Sequence, residues 1–134
     1  MSGTKHRIMA VAVLALVLSA CAGDTNDDGE QSTPSGDSTN ATVSLKLIAF
    51  KPETITVAAG TAVTWKNEDG TDHTVTSGTV AQQGGSATAN PDGKFESGTL
   101  KGGGEFSFTF QTPGTYAYFC KLHPATMRGQ VTVT

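Results

Sequence analysis

The sequence is poor in the residues that most chemistry requires. Its 134 residues include two cysteines, three histidines, three methionines and one tryptophan, and only 16% are charged. The apolar run Ile8–Leu18 stops well short of the roughly 20 residues that a membrane-spanning helix needs. Gly102–Gly104 is followed by no Gly-Lys-Ser/Thr and opens no helical pattern, which excludes a phosphate loop and leaves a turn. No Ser/His/Asp arrangement can be read either, so nucleophilic catalysis has no machinery and no enzyme is expected. From residue 42 onward seven Lys and Arg balance seven Asp and Glu. Such a chain lacks the basic footprint of a nucleic-acid binder.

The first residues are built for export. Lys5, His6 and Arg7 precede the apolar run, which ends in Leu18-Ser19-Ala20-Cys21. That ending resembles the bacterial lipobox, in which small residues admit the processing peptidase and the cysteine receives a diacylglyceryl group. An ordinary cleavage site followed by a chance cysteine is the duller alternative, but all four positions fit. Residues 1–20 therefore read as a lipoprotein signal peptide. Cys21 is the lipidation site, so an exported chain is expected, anchored to the outer face of the cytoplasmic membrane or held in the periplasm or at the cell surface. Residues 21–41 read as an acidic Ser/Thr/Gly-rich tether: Asp24, Asp27, Asp28, Glu30 and Asp37 are met by no base, and there is too little apolar surface to fold.

Residues 42–134 read as one all-β domain. Val43, Leu45 and Leu47 alternate with polar residues, as do Ile55 and Val57, Val63 and Trp65, and Phe106, Phe108 and Phe110. Further strands are expected at 74–76, 115–120 and 130–134. Residues 81–93 read as a polar loop, and Gly60, Asn67–Gly70 and Pro113-Gly114 punctuate the rest. About seven to eight short strands at this spacing predict a Greek-key β-sandwich or barrel, with Trp65, the phenylalanines and the β-branched residues inside. Fold alone assigns no function.

After residue 21 there are one cysteine, two histidines and one methionine, and they fall in two segments. His73 lies in Asp72-His73-Thr74-Val75; Cys120, His123 and Met127 lie in Tyr118–Gly129. If lipid occupies Cys21, Cys120 has no disulfide partner in an oxidising compartment, where a free thiol is a hazard unless buried or metal-bound. A soft thiolate, two imidazoles and a weak thioether suit copper cycling between Cu(I) and Cu(II). Taken singly, Met127 is a gap-filler, His73 a strand-end polar residue, His123 a turn residue and Cys120 a small hydrophobe. Their co-occurrence in this order argues against coincidence.

Together, Phe50-Lys51-Pro52, Val63-Thr64-Trp65-Lys66-Asn67, His73-Thr74-Val75-Thr76-Ser77, Phe95-Glu96-Ser97-Gly98, Pro113-Gly114-Thr115-Tyr116 and the Cys120 loop resemble the plastocyanin, amicyanin and halocyanin branch of the cupredoxins. The resemblance covers essentially all of residues 42–134. It implies one type 1 copper, with His73, Cys120 and His123 as equatorial ligands and Met127 as the axial one. It further implies that Thr74 offers its backbone N–H to the Cys120 sulfur, and that His123, flanked by Pro124 and Ala125, is the electron port. Two features depart from the pattern. The Cys-x2-His-x3-Met spacing falls between those of amicyanin and plastocyanin, and Phe119 stands where plastocyanins carry a Tyr serving a remote acidic docking face.

The leading reading is a monomeric blue-copper electron carrier working between redox protein partners and held at the membrane by lipid. The alternatives are a copper storage or delivery lipoprotein, a metal-free structural domain, and a zinc site, which gains little from Met.

Overall fold

The computed structural model describes residues 39–134. The signal peptide, Cys21 and most of the tether lie outside the described residues. Nine strands follow in order: β1 Asn40–Leu45, β2 Phe50–Lys51, β3 Thr54–Val57, β4 Thr61–Asn67, β5 Thr76–Gln83, β6 Ser86–Glu96, β7 Glu105–Phe110, β8 Gly114–Phe119 and β9 Arg128–Val133. Among the described residues there is no helix. The strands form two sheets, β2-β1-β4-β7 and β3-β9-β8-β5-β6. β1 runs parallel to β4, and β3 parallel to β9. The all-β sandwich expected from the alternation is present.

The alternation works as a core-building device in β4, where Val63 and Trp65 point inward while Lys66 is exposed. Trp65 stacks on Phe95 at 5.6 Å and Phe106 at 5.8 Å, and meets Tyr118 edge-on at 5.3 Å. Aromatic pairs of this kind contribute about 0.5–1.5 kcal/mol each beyond area burial. Val43 and Leu45 of β1 and Val131 and Val133 of β9 close the core from both sheets.

Leu47 and residues 81–93 depart from expectation. Leu47 does not continue the buried face of β1: it is 74% exposed, and both it and Ile48 have positive φ, 56° and 55°. They are the central pair of a two-residue hairpin turn, closed where the Lys46 N–H donates to the Ala49 carbonyl at 2.9 Å. Such turns demand positive φ at both central positions and usually take Asn-Gly. Leu-Ile hides the turn from sequence reading, because a β-branched residue is strongly disfavoured there.

Residues 81–93 are likewise not a loop. They form much of a long β5–β6 hairpin, turning at Gly84-Gly85 with Gln83 opposite Ser86. Most of β6 is exposed, so no buried face imprints an alternation on the sequence. Pro91 is tolerated because β6 is an edge strand. The register shifts after Thr76, and Gly78 passes so close to the Asn90 carbonyl that a Cβ would overlap it.

Tyr118 and Trp65 each bury a polar atom, the hydroxyl and Nε1, without a hydrogen-bond partner. Burial pushes the Tyr118 hydroxyl up to about 12. Above about pH 10 the unfolded chain releases a proton that the folded one keeps, so stability falls as pH rises towards 12, by roughly 2–3 kcal/mol in total. In Tyr118→Phe this part of the alkaline loss should vanish, with little cost at neutral pH. Urea unfolding on either side of about pH 10 tests this, and an undiminished loss in the variant would refute it.

Candidate metal centre

Cys120 follows the last residue of β8, and the chain returns as β9 after an eight-residue loop held by its own backbone. The Cys120 N–H donates to the Met127 carbonyl at 3.0 Å, and the N–H groups of Thr126 and Met127 donate to the His123 carbonyl at 3.2 and 2.9 Å. A tight fold of this kind turns the sequence spacing of Cys120, His123 and Met127 into spatial proximity. Behind it, the Tyr118 ring occupies the space that a Cβ on Gly129 would need.

His73 arrives from the other side. The expected strand 74–76 begins only at Thr76, and His73 lies ahead of it in an isolated bridge to Leu100, with N–H to carbonyl distances of 3.0 and 2.8 Å. The preceding turn is folded by Asn67, fully buried, whose Nδ2 donates to the Thr71 and Leu100 carbonyls at 2.8 Å each. Its Oδ1 accepts the Asp69 N–H at 2.9 Å.

The donor atoms of His73, Cys120 and His123 all lie within 4.8 Å of one another. Cys120 Sγ is 3.9 Å from His73 Nδ1 and 3.8 Å from His123 Nδ1. Around one trigonal ion at metal–ligand distances of about 2.0–2.3 Å, a sulfur and a nitrogen lie about 3.8 Å apart. The spacing therefore fits a single ion. Met127 is fully buried in the same cluster as Cys120, and the Thr74 N–H donates to Cys120 Sγ at 3.3 Å. His73 and Cys120 are also fully buried, whereas His123 and Pro124 are half-buried and Ala125 is exposed.

Sequence reading missed three contributors. Asp69 Oδ2 lies 2.9 Å from His73 Nε2. A carboxylate only accepts, so Nε2 carries the proton and the Nδ1 lone pair is left facing the site. The same carboxylate accepts the Leu47 and Ile48 N–H groups at 2.8 and 3.1 Å, and these bonds, ahead of the one from His73, hold Asp69 below the usual carboxylate range. The Asp-x3-His spacing was the available signal. Gln82 of the β5–β6 hairpin donates to the Ala125 carbonyl at 2.9 Å, bracing the loop from outside. Leu122, which precedes His123 in the same loop, is 54% exposed and adds apolar surface to that loop.

Residues 37–134 match the copper binding proteins of the plastocyanin/azurin family. The chain belongs to that family. Among its relatives, plastocyanin of Scenedesmus fuscus is 36% identical over 88 residues, 64% of this chain and 87% of that protein. Amicyanin-alpha of Methylorubrum extorquens is 28% identical over 124 residues, 92% of this chain and 94% of the relative. Chloroplastic plastocyanin of Physcomitrium patens is 40% identical, but only 51% of its length is spanned. Among solved structures, a purple cupredoxin from Nitrosopumilus maritimus superposes with a TM-score of 0.56 at 27% identity, covering 70% of this chain and 99% of that one. A reduced amicyanin mutant gives 0.54 at 29% identity, over 71% and 82%. This cupredoxin is a copper protein, with His73, Cys120, His123 and Met127 positioned as a type 1 site.

Replacing Asp69 by Ala removes one acceptor from three donors. Apo-protein stability should fall by roughly 1–3 kcal/mol, and copper affinity by about 10- to 100-fold. Urea unfolding and a competitive copper titration measure the two, and finding neither changed would remove Asp69 from the site.

Proposed function

We propose that this cupredoxin is a blue-copper electron carrier, in which His73, Cys120 and His123 would hold the ion with Met127 as the weaker fourth donor. The observation that carries the reading is the convergence of a buried thiol and two imidazoles on one point, with one imidazole half-buried at the surface. Bound copper supplies the one-electron Cu(I)/Cu(II) couple. The chain's own residues do the rest. Cys120 provides a thiolate that favours the reduced ion, and the two imidazoles suit both oxidation states. The Thr74 N–H stabilises charge on the sulfur, Asp69 orients His73, and the closed 120–127 loop limits rearrangement. His123, with Pro124 and Ala125, is the port through which redox proteins exchange electrons.

Three of the four donor residues are fully buried, which favours retention of the ion over its release to a recipient. Delivery is therefore the weaker reading, and storage is told from electron transfer by a redox titration, in which a carrier cycles reversibly with copper retained. Copper-loaded protein should show intense visible absorption from sulfur-to-copper charge transfer and lose it in Cys120→Ser. A folded, Cu(II)-loaded protein without colour overturns the proposal.

We also propose the arrangement read from the sequence, with one change: residues 1–20 as the signal peptide, a lipid on Cys21, and a tether that ends where β1 begins at Asn40, two residues earlier than the expected 41/42 boundary, the electron-carrying domain following and acting as a monomer. Cys21→Ala should then move the protein from the membrane fraction to the soluble one. Unchanged membrane retention in that variant counts against lipidation.

A further inference from the structure

A ring of hydrogen bonds leads from the sulfur's amide donor to the surface. Thr74, whose N–H faces Cys120 Sγ, accepts the Lys121 N–H on its own Oγ1 at 2.8 Å. That oxygen lies 3.4 Å from Thr76 Oγ1, which donates to Glu96 Oε1 at 3.0 Å. Glu96 Oε2 in turn meets Lys121 Nζ at 2.6 Å, so the chain ends on the residue where it began. Both threonines are buried, 5% and 1% exposed, while the Glu96 and Lys121 side chains are 40% and 48% exposed.

The carboxylate sets the direction of every bond. It can only accept, so the Thr76 hydroxyl donates to it and has a lone pair free for the Thr74 hydroxyl. Thr74 then has a lone pair free for the Lys121 N–H. Each hydroxyl gives one bond and takes one, and the anchor is charge-assisted. Strand pairing puts these residues together, since Thr76 lies opposite Glu96 on one side and Phe119 on the other.

We infer that Thr76 and Glu96 are positioning residues for the Cys120 thiolate: through the Thr74 hydroxyl they fix the peptide whose N–H points at the sulfur. This rests on the blue-copper reading. An N–H aimed at sulfur stabilises negative charge, which is less compensated beside Cu(I) than beside Cu(II), so it favours the reduced protein. Loosening that peptide should lower the reduction potential.

Thr76→Val removes the link while keeping shape and charge. It should shift the Cu(II)/Cu(I) equilibrium by about 3- to 10-fold towards Cu(II), or about 30–60 mV at 59 mV per decade. Thr76→Ser, which keeps the hydroxyl, should restore the potential. In metal-free protein, Thr76→Val should speed hydrogen exchange at the Thr74 amide about 10-fold, relative to core amides such as Val131. If Thr76→Val does not fold, Glu96→Ala carries the same test. Loss of a negative charge alone raises the potential, whereas loss of the anchor lowers it. An unchanged potential and unchanged Thr74 exchange in Thr76→Val, or a raised potential in Glu96→Ala, would overturn the inference. A wild-type protein without the charge-transfer band would instead remove the blue-copper reading, and the amide-exchange comparison would still judge the positioning role.

Discussion

The site depends on how β5 is joined to β8. Two register pairs, Thr76 with Phe119 and Ser77 with Tyr118, bring the strands together. The pairing is antiparallel, so His73, shortly before Thr76, and Cys120, directly after Phe119, emerge at the same end of it, and two donors from distant parts of the chain lie side by side. The rest of the loop geometry refines a meeting that strand register has already arranged. A slip of one residue in either strand would turn its donor to the face opposite the other's.

Around that meeting point the interior is polar in a way the rest of the core is not. Asn67, His73, Thr74, Thr76 and Ser77 are all buried. Each has a partner: Asn67 folds the 67–73 turn, His73 holds Asp69, and Ser77 Oγ accepts the Phe95 N–H at 2.8 Å. Burying polar groups is costly unless they are satisfied, and satisfied networks restrict a site to one arrangement. The aromatic core behaves differently. There Trp65 and Tyr118 leave polar atoms without partners, and packing area outweighs the loss.

How much of this was legible follows from the same division. The ligand set could be read because cysteine, histidine and methionine are scarce after residue 21 and fall in two short segments. Strands with one buried face could be read because burial writes a period of two into β1, β4 and β7. The β5–β6 hairpin could not, since most of β6 is in solvent and its composition answers to turn chemistry alone. Asp69 was legible only as part of a turn and Glu96 only as part of a segment resembling the family, neither as a site residue. What makes them part of the site is which donors they face, and that is set by tertiary pairing between segments far apart in sequence.

The Leu47-Ile48 turn shows what one such pairing accomplishes. Positive φ at a non-glycine residue costs of order 1–3 kcal/mol, and here two residues adopt it in succession. Their N–H groups point at the Asp69 carboxylate, whose charge-assisted bonds offset that cost. The same bonds hold the carboxylate in place for His73, so the unfavourable turn and the oriented imidazole depend on one group. Conventional Asn-Gly would relieve the turn yet leave the two apolar side chains absent from the surface beside Asp69, Gly70 and Thr71. The turn's cost and the exposed Leu47 and Ile48 side chains thus sit next to a carboxylate that itself touches a copper-site histidine.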